Sequence, residues 1–343
     1  MQHCKRILSR WLSPKKRKLS LGFTLMELLI TMVVSSIITS GLLYLVMEIM
    51  QVDRREASLD QVQQDMQRAI DYIRDDLQQA LYVYSDPADV ERIETSLQDD
   101  RNFPDRAEDT TVLVFWRVDP IEDNLPTVCV DGHRNFDDSD PNFAQCQSLR
   151  VRQASYTLVA YVQRTNDGNR NWPGQSRLIR YELSKYRGNT ANMVIREGYR
   201  DPANLGDSES SFEDWTPDLT RGNPSGSSAA LVDFVDNPTA TLNRSPLSDP
   251  TEPCSTYGTD ASGNSLYQVM PSAATTTDHT SFFACVRSPD TDSEERTNQD
   301  VYVFLRGNAY DAQPGAINMA NSESALPILE TRVLVRGVVD KRI

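Results

Sequence analysis

The sequence predicts an α+β protein, in which a long N-terminal helix packs on an antiparallel β-sheet head with long loops. Two observations predict the helix: no proline occurs in residues 23–86, and apolar residues recur there at helical spacing. A third observation predicts the sheet, because from residue 88 onwards short β-type runs alternate with Pro, Gly, Asp and Asn. Helix first and strands afterwards is the order expected of an α+β domain.

The charge of the chain is divided unevenly along its length. The 343 residues, enough for one large domain or two ordinary ones, carry a formal net charge of −14. Residues 1–22 contain seven basic groups and no acidic one, so the remainder sums to −21. Because the phosphate backbone of nucleic acids attracts clustered Lys and Arg, an acidic body of this kind excludes nucleic acid as the expected partner.

A membrane span follows the basic segment. Residues 28–47 are twenty residues without a charge, and a helix of that length spans about 30 Å, the thickness of a hydrocarbon core. Basic residues precede the span and Glu48, Asp53 and Glu56 follow it, which places the N-terminus in the cytoplasm and the bulk of the chain outside. A conventional signal peptide fits poorly, because the apolar run is too long and no A-x-A-like cleavage site follows it.

The helix is predicted to continue beyond the membrane as an amphipathic segment to about residue 84, with Pro87 as its stop. Its apolar stripe has steps of three, four and seven residues: Val52, Leu59, Val62, Met66, Ile70, Ile73, Leu77 and Leu81. Charged residues fill the other face: Arg54, Arg55, Glu56, Asp60, Asp65, Arg68, Asp71, Arg74, Asp75 and Asp76. We expect the following sheet to cover the stripe; the alternative is a dimeric coiled-coil stalk.

The head is predicted to consist of eight strands separated by polar loops. The strands are expected at 111–118, 156–164, 177–184, 193–196, 231–235, 282–287, 301–305 and 331–339. Long segments rich in Ser, Thr, Asp, Asn and Pro, at 119–150, 201–228 and 237–280, are expected to be surface loops.

Four of the five cysteines lie in the head: Cys129, Cys146, Cys254 and Cys285. An even number beyond an export signal indicates disulfides in an oxidising compartment. Three pairings are open, and we favour the two that are local in sequence, Cys129–Cys146 and Cys254–Cys285; four reduced, buried thiols are the alternative. No CxxC motif is present, which argues against a zinc ribbon or a redox motif.

Two acidic loops are weak candidates for calcium, the only cofactor considered. Calcium takes several carboxylate and carbonyl oxygens from one loop, but neither segment has the spacing of an EF-hand, and a solvated acidic loop is the alternative. The candidate ligands are Asp137, Asp138 and Asp140 in one loop, and Asp290, Asp292 and Glu294 in the other. The three histidines lie in no catalytic motif, and GxSxG, HExxH, Walker and GxGxxG patterns are absent, so we expect no enzyme and no catalytic residues.

The segment KLSLGFTLMELLI, residues 18–30, resembles the class III signal of type IV prepilins and type II secretion pseudopilins. The resemblance implies that a prepilin peptidase cuts between Gly22 and Phe23 and methylates the new N-terminal Phe23. Glu27 matches the family's glutamate at the fifth position of the mature chain, and Phe23 would supply the only new cation near it. The alternative for Glu27 is snorkelling to the interface. The leader is long, and Tyr44 stands where many major pilins have a proline.

This resemblance divides the chain into a leader peptide, 1–22, a transmembrane and filament-core half-helix, 23–50, an amphipathic half-helix, 51–85, and a periplasmic head, 86–343. The implied partners are other pilin or pseudopilin subunits, the prepilin peptidase, an inner-membrane assembly platform and the membrane itself. The implied location is the inner membrane, with a single pass, and afterwards a pilus or pseudopilus.

The head also carries more specific resemblances. Its size and the run LVDFV at 231–235 resemble W-type minor pilins and the J-type minor pseudopilin. The run VFLRGNA at 303–309 resembles cyanobacterial pseudopilins assigned to polysaccharide secretion. We therefore expect a minor subunit that enters, initiates or caps a filament. The alternatives are an uncleaved single-pass protein with an adhesin-like head and a membrane-tethered hydrolase.

Overall fold

The structure is a computed structural model, and it describes thirteen stretches of the chain. These are residues 24–106, 109–120, 146–147, 149, 154–166, 171–187, 194–203, 212–236, 251–260, 262–271, 281–288, 299–309 and 326–336. The chain forms two compact units, Met1–Asp53 and Arg54–Ile343. Together, the long helix and the antiparallel sheets confirm the predicted α+β class.

The long N-terminal helix, α1, extends over Leu25–Gln78. The prediction that it continues to about residue 84 is wrong, because Ala80–Val83 forms the first strand, β1. Two backbone hydrogen bonds beyond the paired residues hold this strand against its neighbour, from Tyr84 N–H to Val114 O and from Val118 N–H to Gln79 O. The apolar residues continue at helical spacing as far as Leu81. Sheet pairing and the burial of Ala80 and Val83 nevertheless make this segment a strand.

The sequence predicted Pro87 as the stop for α1, but α1 already ends at Gln78. Pro87 begins a second helix, α2, at Pro87–Leu97, where its missing N–H is one that the first helical turn would leave unbonded anyway. Asp86 is the N-cap, and its carboxylate accepts a hydrogen bond from Ala88 N–H at 2.9 Å. The helix buries Val90, Ile93 and Leu97, which are spaced by three and four residues.

The first sheet has five antiparallel strands in sequence order, β1 to β5. After β1 come β2 at Asp109–Pro120, β3 at Ala154–Thr165, β4 at Ser176–Ser184 and β5 at Ser227–Val235. A short 3₁₀ helix at Leu219–Arg221 precedes β5, within a segment predicted to be loop. The strand predicted at 193–196 is wrong for its described part, because Ile195 forms only an isolated bridge to Tyr186 before the chain turns at Gly198, where φ is +70°.

The second sheet has four antiparallel strands, β6 to β9, also in sequence order. They extend over Tyr267–Met270, Phe282–Arg287, Asp300–Leu305 and Leu329–Leu334. A short helix, α3, at Thr251–Thr256 and strand β6 both lie within the segment 237–280 that was predicted to be loop. The strand predicted at 331–339 ends at Leu334, and its residues 337–339 lie outside the described residues.

One disulfide is described in full, Cys254–Cys285, with a Cα–Cα distance of 5.3 Å. It joins α3 to β7 and confirms one of the two favoured pairings. Cys146 is buried and disulfide-bonded. Cys129 lies outside the described residues, so the pair Cys129–Cys146 stays a prediction.

The second half of α1 contributes its apolar stripe to the main core. Val62, Met66, Ile70, Ile73 and Leu77 are all at most 2% exposed, and they belong to one cluster with side chains from both sheets. The head thus covers the stripe from residue 62 onwards, which leaves no need for a coiled-coil partner there. Val52, by contrast, is 49% exposed.

A buried carboxylate fixes how this half of α1 lies on the first sheet. Asp76, predicted to lie on the outer charged face, is only 5% exposed. Its oxygens accept hydrogen bonds from Arg117 Nη1 on β2 at 2.6 Å, from Tyr161 Oη on β3 at 2.7 Å and from Arg180 Nε on β4 at 2.7 Å. Asp76 therefore bonds to three successive strands. The prediction failed because helical spacing identifies apolar positions but not a charged residue whose partners lie on distant strands.

These contacts control the charge of Asp76. Burial alone would raise its pKa, but the hydrogen bond and charge of Arg180, the Tyr161 hydroxyl and the charge of Arg117 together lower the pKa below its ordinary value of 3.8. The ionised form is thus stabilised in the folded chain. Because the shift is downward, the stabilisation is fully present above the unfolded-state pKa and is lost as the pH falls through the folded-state pKa.

Two buried amides connect the two sheets. Gln163 on β3 donates from Nε2 to Ser176 Oγ and to Ser281 Oγ, both at 2.8 Å, and Ser281 leads into β7 of the second sheet. Gln299, next to β8, accepts from Val83 N–H at 3.0 Å and donates to Val83 O at 2.9 Å. Its carboxamide thus satisfies both backbone groups of one residue on edge strand β1, so the two sheets of the Arg54–Ile343 unit share one core.

We expect the substitution Asp76→Asn to destabilise the protein by about 3–5 kcal/mol at pH 7, because it leaves two buried guanidinium groups short of a charged partner. The loss should be constant down to about pH 5 and should shrink as the pH falls below 3.8, where the unfolded chain becomes protonated, towards the lowered folded-state pKa, where the native carboxylate is itself protonated. Urea unfolding of the full chain in detergent, measured over this pH range, tests the prediction. Asp75→Asn is the matched control, since its carboxylate is 64% exposed and makes only a surface ion pair with Arg74. Equal losses for the two variants would contradict the assigned role.

Candidate assembly site on the first half of the long helix

The first turn of α1 has a defined N-terminal cap. Thr24 precedes the helix, its Oγ1 accepts from Glu27 N–H at 3.3 Å, and its carbonyl accepts from Leu28 N–H at 3.2 Å. The spacing Thr-x-x-Glu is that of a capping box, a signal in the sequence that the initial interpretation did not use. The cap explains why the helix begins at Leu25, directly after the predicted cleavage point.

The apolar side chains of this half-helix are exposed on all sides. From Leu25 to Val52, the large hydrophobic residues are between 48% and 85% exposed, and they surround the helix rather than forming one stripe. By length and composition this part of α1 can cross a membrane, and no residue of its most apolar stretch is buried within the chain. An exposed apolar surface of this size requires lipid or other apolar helices to cover it.

Three hydroxyl groups within the span are satisfied by the helix itself. Thr31 Oγ1 donates to Leu28 O at 2.9 Å, and Ser36 Oγ donates to Val33 O at 2.8 Å. Thr39 Oγ1 likewise donates to Ser35 O at 2.8 Å. Since hydrocarbon offers no hydrogen-bond partners, this local satisfaction lets the segment enter lipid without an unmet polar group at these positions.

Glu27 is the exception to this pattern. It is the sole ionisable residue among residues 24–43, it is exposed, and it lies in the first helical turn. The positive end of the helix dipole stabilises a carboxylate at that place. Among the residues that the structure describes, its carboxylate has no hydrogen-bond or ion-pair partner. Phe23, whose amine is the predicted partner, lies outside them, and the pair therefore stays a prediction.

The remaining predicted site residues also lie outside the described part of the chain. These are Gly22 and Phe23 at the cleavage point, Asp137, Asp138 and Asp140 in one acidic loop, and Asp290, Asp292 and Glu294 in the other. Within the described stretches, no group of three or more His, Cys, Asp or Glu side chains is arranged to hold a metal ion. The calcium hypothesis thus stays a prediction about the two loops.

We expect a chain that begins at Arg54, exported with a conventional signal peptide, to fold and remain in the soluble fraction, because Arg54–Ile343 is a compact unit with its own core. The full chain should sediment with membranes. Fractionation and cooperative urea unfolding of the truncated chain are the measurements. Sedimentation of the truncated chain with membranes would show that a second membrane-binding segment exists.

Residues 17–43 match the family model described as the prokaryotic N-terminal methylation motif. No curated protein and no solved structure matches the chain. The matched residues cover the cap, Glu27 and most of the exposed apolar half-helix described above. The motif implies, in general terms, processing by a prepilin peptidase and interaction with other pilins. This motif, together with the apolar helix that carries it, supports a type IV pilin-like protein.

Proposed function

We propose that this protein is a minor pilin or minor pseudopilin, which assembles through the first half of α1 into a type IV pilus or a type II secretion-like pseudopilus, or initiates or caps such a filament. The observation that supports the proposal is the apolar half-helix that is exposed on every side and carries the carboxylate of Glu27 in its first turn. The N-terminus would lie in the cytoplasm and the head in the periplasm, in keeping with the basic leader.

The proposed mechanism begins with proteolysis. Cleavage between Gly22 and Phe23 releases a cationic amine on Phe23, and N-methylation leaves its charge in place. Phe23 and Glu27 are four residues apart in the sequence, and both precede the uncharged span 28–47. At the edge of a hydrocarbon layer, the low dielectric strengthens attraction between the carboxylate and an amine on the same or a neighbouring subunit. This pair would set the stagger between adjacent helices.

Assembly then exchanges lipid contacts for helix contacts. Lipid tails and the interior of a helix bundle are similarly apolar, so the exchange has little hydrophobic driving force, and packing decides which surfaces meet. Ser36, Ser40 and Gly41 are small residues that allow close approach, and a Cβ added at Gly41 would meet no atom of this chain within 4 Å. The tightest helix contacts are therefore expected near these residues.

The size of the head supports the role of a minor subunit rather than that of the subunit that repeats along a filament. The Arg54–Ile343 unit is large for a subunit that must recur closely along a filament, whereas a subunit at the filament tip has no such restriction. We propose no catalytic step for this chain. Assembly would involve the inner-membrane assembly platform together with other pilin-like subunits.

The proposal predicts that the mature chain begins at Phe23 and carries one added methyl group. Mass spectrometry of the N-terminal peptide from native membranes measures both features, and cells without prepilin peptidase provide the control. Retention of residues 1–22 in cells with active peptidase would contradict the proposal. It would favour instead a single-pass surface-binding protein.

The substitution Glu27→Ala should leave cleavage intact but reduce incorporation into sheared filaments by about tenfold or more, since a hydrogen bond to a charged group contributes roughly 1.5–3 kcal/mol. Quantitative immunoblotting of filament and membrane fractions measures the ratio. Glu48→Ala is the matched control, because Glu48 is an exposed carboxylate of the same helix at the other end of the apolar span. Normal incorporation of the Glu27 variant would rule out the charge pair as the determinant of register.

A further inference from the structure

Four charged side chains follow the membrane-crossing part of α1, at the start of the Arg54–Ile343 unit: Arg54, Arg55, Glu56 and Asp60. All four are exposed. In the part of the chain that the structure describes, none of the four side chains has a hydrogen-bond or ion-pair partner. These residues, the membrane-proximal charges, are therefore not neutralised by the described residues of the head.

The spacing in the sequence explains why the helix itself does not pair them. Side chains on a helix surface meet when they are three or four residues apart. None of the membrane-proximal charges has an opposite charge at either spacing, and Glu56 and Asp60, four residues apart, repel each other. Further along the same helix, by contrast, Arg68 pairs with Asp65 at 3.1 Å. The membrane-proximal charges thus require partners from outside their own helix.

The two signs of charge lie on opposite sides of α1. With 3.6 residues per turn, the mean direction of Arg54 and Arg55 lies about 170° from the mean direction of Glu56 and Asp60. This part of the helix therefore has a basic side and an acidic side, and each can face a different neighbour.

Both sides remain open further along the helix. On the side of Arg54, Gln61 and Tyr72 follow after seven and eighteen residues, and both are exposed. On the acidic side, Gln63 and Gln67 are exposed. A second helix can therefore lie along either side without displacing the apolar stripe that packs against the head.

A second copy of the chain supplies what both sides lack. When identical helices lie next to each other in a head-to-tail arrangement, the basic side of one faces the acidic side of the next. The basic leader gives all copies the same orientation in the membrane, so their helices are parallel. A lipid phosphate would suit the arginines alone, and it would leave the repulsion between Glu56 and Asp60 in place.

The positions of the charges define the offset between two such copies. The arginines are centred between residues 54 and 55 and the carboxylates on residue 58, so pairing displaces one copy along the helix axis by about 5 Å, or three to four residues. Phe23 and Glu27 are four residues apart in the sequence. In both pairs the same copy supplies the carboxylates, so a single stagger is compatible with both.

The membrane makes these weak contacts effective. Packed helices lie about 8–10 Å apart, a distance that an arginine on one helix and a glutamate on the next can bridge. Exposed ion pairs contribute little one at a time. The apolar half-helices, however, hold both copies in one plane and in one orientation, which raises the effective concentration at which the charged sides meet.

We propose that Arg54 and Arg55 of one copy bind Glu56 and Asp60 of a second copy just outside the membrane, so that this protein is its own neighbour in the assembly. The inference rests on the proposed filament function, because it requires helices packed side by side, and it adds the identity of one neighbour. A pair of copies still presents one basic and one acidic side to other subunits, in keeping with a minor role.

Photocrosslinking of the full chain in native membranes tests this proposal. A benzophenone amino acid replaces Gln63, which is exposed and lies on the acidic side of α1. We expect an adduct with the mass of two copies, in which mass spectrometry locates the crosslink on the second copy in the part of α1 around Arg54 and Arg55.

Charge reversal tests whether the ion pairs hold the two copies together. The double substitution Arg54→Glu with Arg55→Glu should reduce the yield of the two-copy adduct about tenfold, and Glu56→Lys with Asp60→Lys should do the same. A chain that carries all four substitutions should recover the yield, because it exchanges the basic and acidic sides and restores their complementarity.

The matched control is Asp71→Lys with Asp75→Lys, which reverses as many charges on the same helix. Both carboxylates pair with Arg74 of their own chain, so the yield of the adduct should not change. Urea unfolding of every variant checks that the head remains folded.

Adducts with lipid or with other proteins alone, a crosslink elsewhere on the second copy, or a low yield in the fourfold variant would overturn the proposal. The N-terminal mass measured on the same cells separates the two levels of the argument. A chain that begins at Phe23 but gives no two-copy adduct overturns this inference and leaves the filament assignment intact. A retained leader contradicts the filament assignment and this inference together.

Discussion

The fold depends on one buried carboxylate of the long helix. Apolar side chains at helical spacing can cover a sheet in several registers, since burial is not directional and a shift by one turn presents a similar stripe. Asp76 removes this freedom, because its two oxygens bond to side chains on β2, β3 and β4 at 2.6–2.7 Å. A displaced helix would leave the Asp76 carboxylate buried without its three donors and would remove one of the two charged partners of Arg117 and of Arg180, a far larger cost than a shifted apolar contact.

The two sheets are joined in a similar way, by the uncharged side chains of two glutamines. Gln299 bonds to both backbone groups of Val83, and Gln163 bonds to serines of both sheets. Each amide supplies a donor and an acceptor where regular strand pairing ends, so the junction needs no continuous sheet. The groups that fix helix to sheet and sheet to sheet are therefore polar, whereas the apolar core supplies most of the burial.

The sequence predicted those parts of the fold that depend on local periodicity. The α1 stripe from Val62 to Leu77 and strands such as Phe282–Arg287 have patterns that a single element explains. Prediction from the sequence failed where partners far along the chain decide the structure. Ala80–Val83 pairs with β2, and Asp76 bonds to arginines that lie 41 and 104 residues away in the sequence. At the candidate site the methylation motif is local and the sequence predicted it, whereas the strand order of the two sheets depends on distant partners and no local pattern contains it.

One continuous helix thus meets two different requirements. Its second half is fixed to the head by directional polar contacts, whereas its first half bonds the hydroxyls of Thr31, Ser36 and Thr39 to its own carbonyls and offers apolar side chains all round. Such a surface has nearly the same free energy in lipid and among similar helices, so it permits transfer between them but cannot select a partner.

Selection of a partner must then come from the few directional groups that the chain leaves unpaired. On the first half of the helix, the carboxylate of Glu27 is one such group in the described residues. A membrane-embedded carboxylate can fix the stagger of neighbouring helices, but it distinguishes poorly between subunits that share the same motif. Discrimination between neighbouring subunits must therefore come from groups outside the shared apolar half-helix.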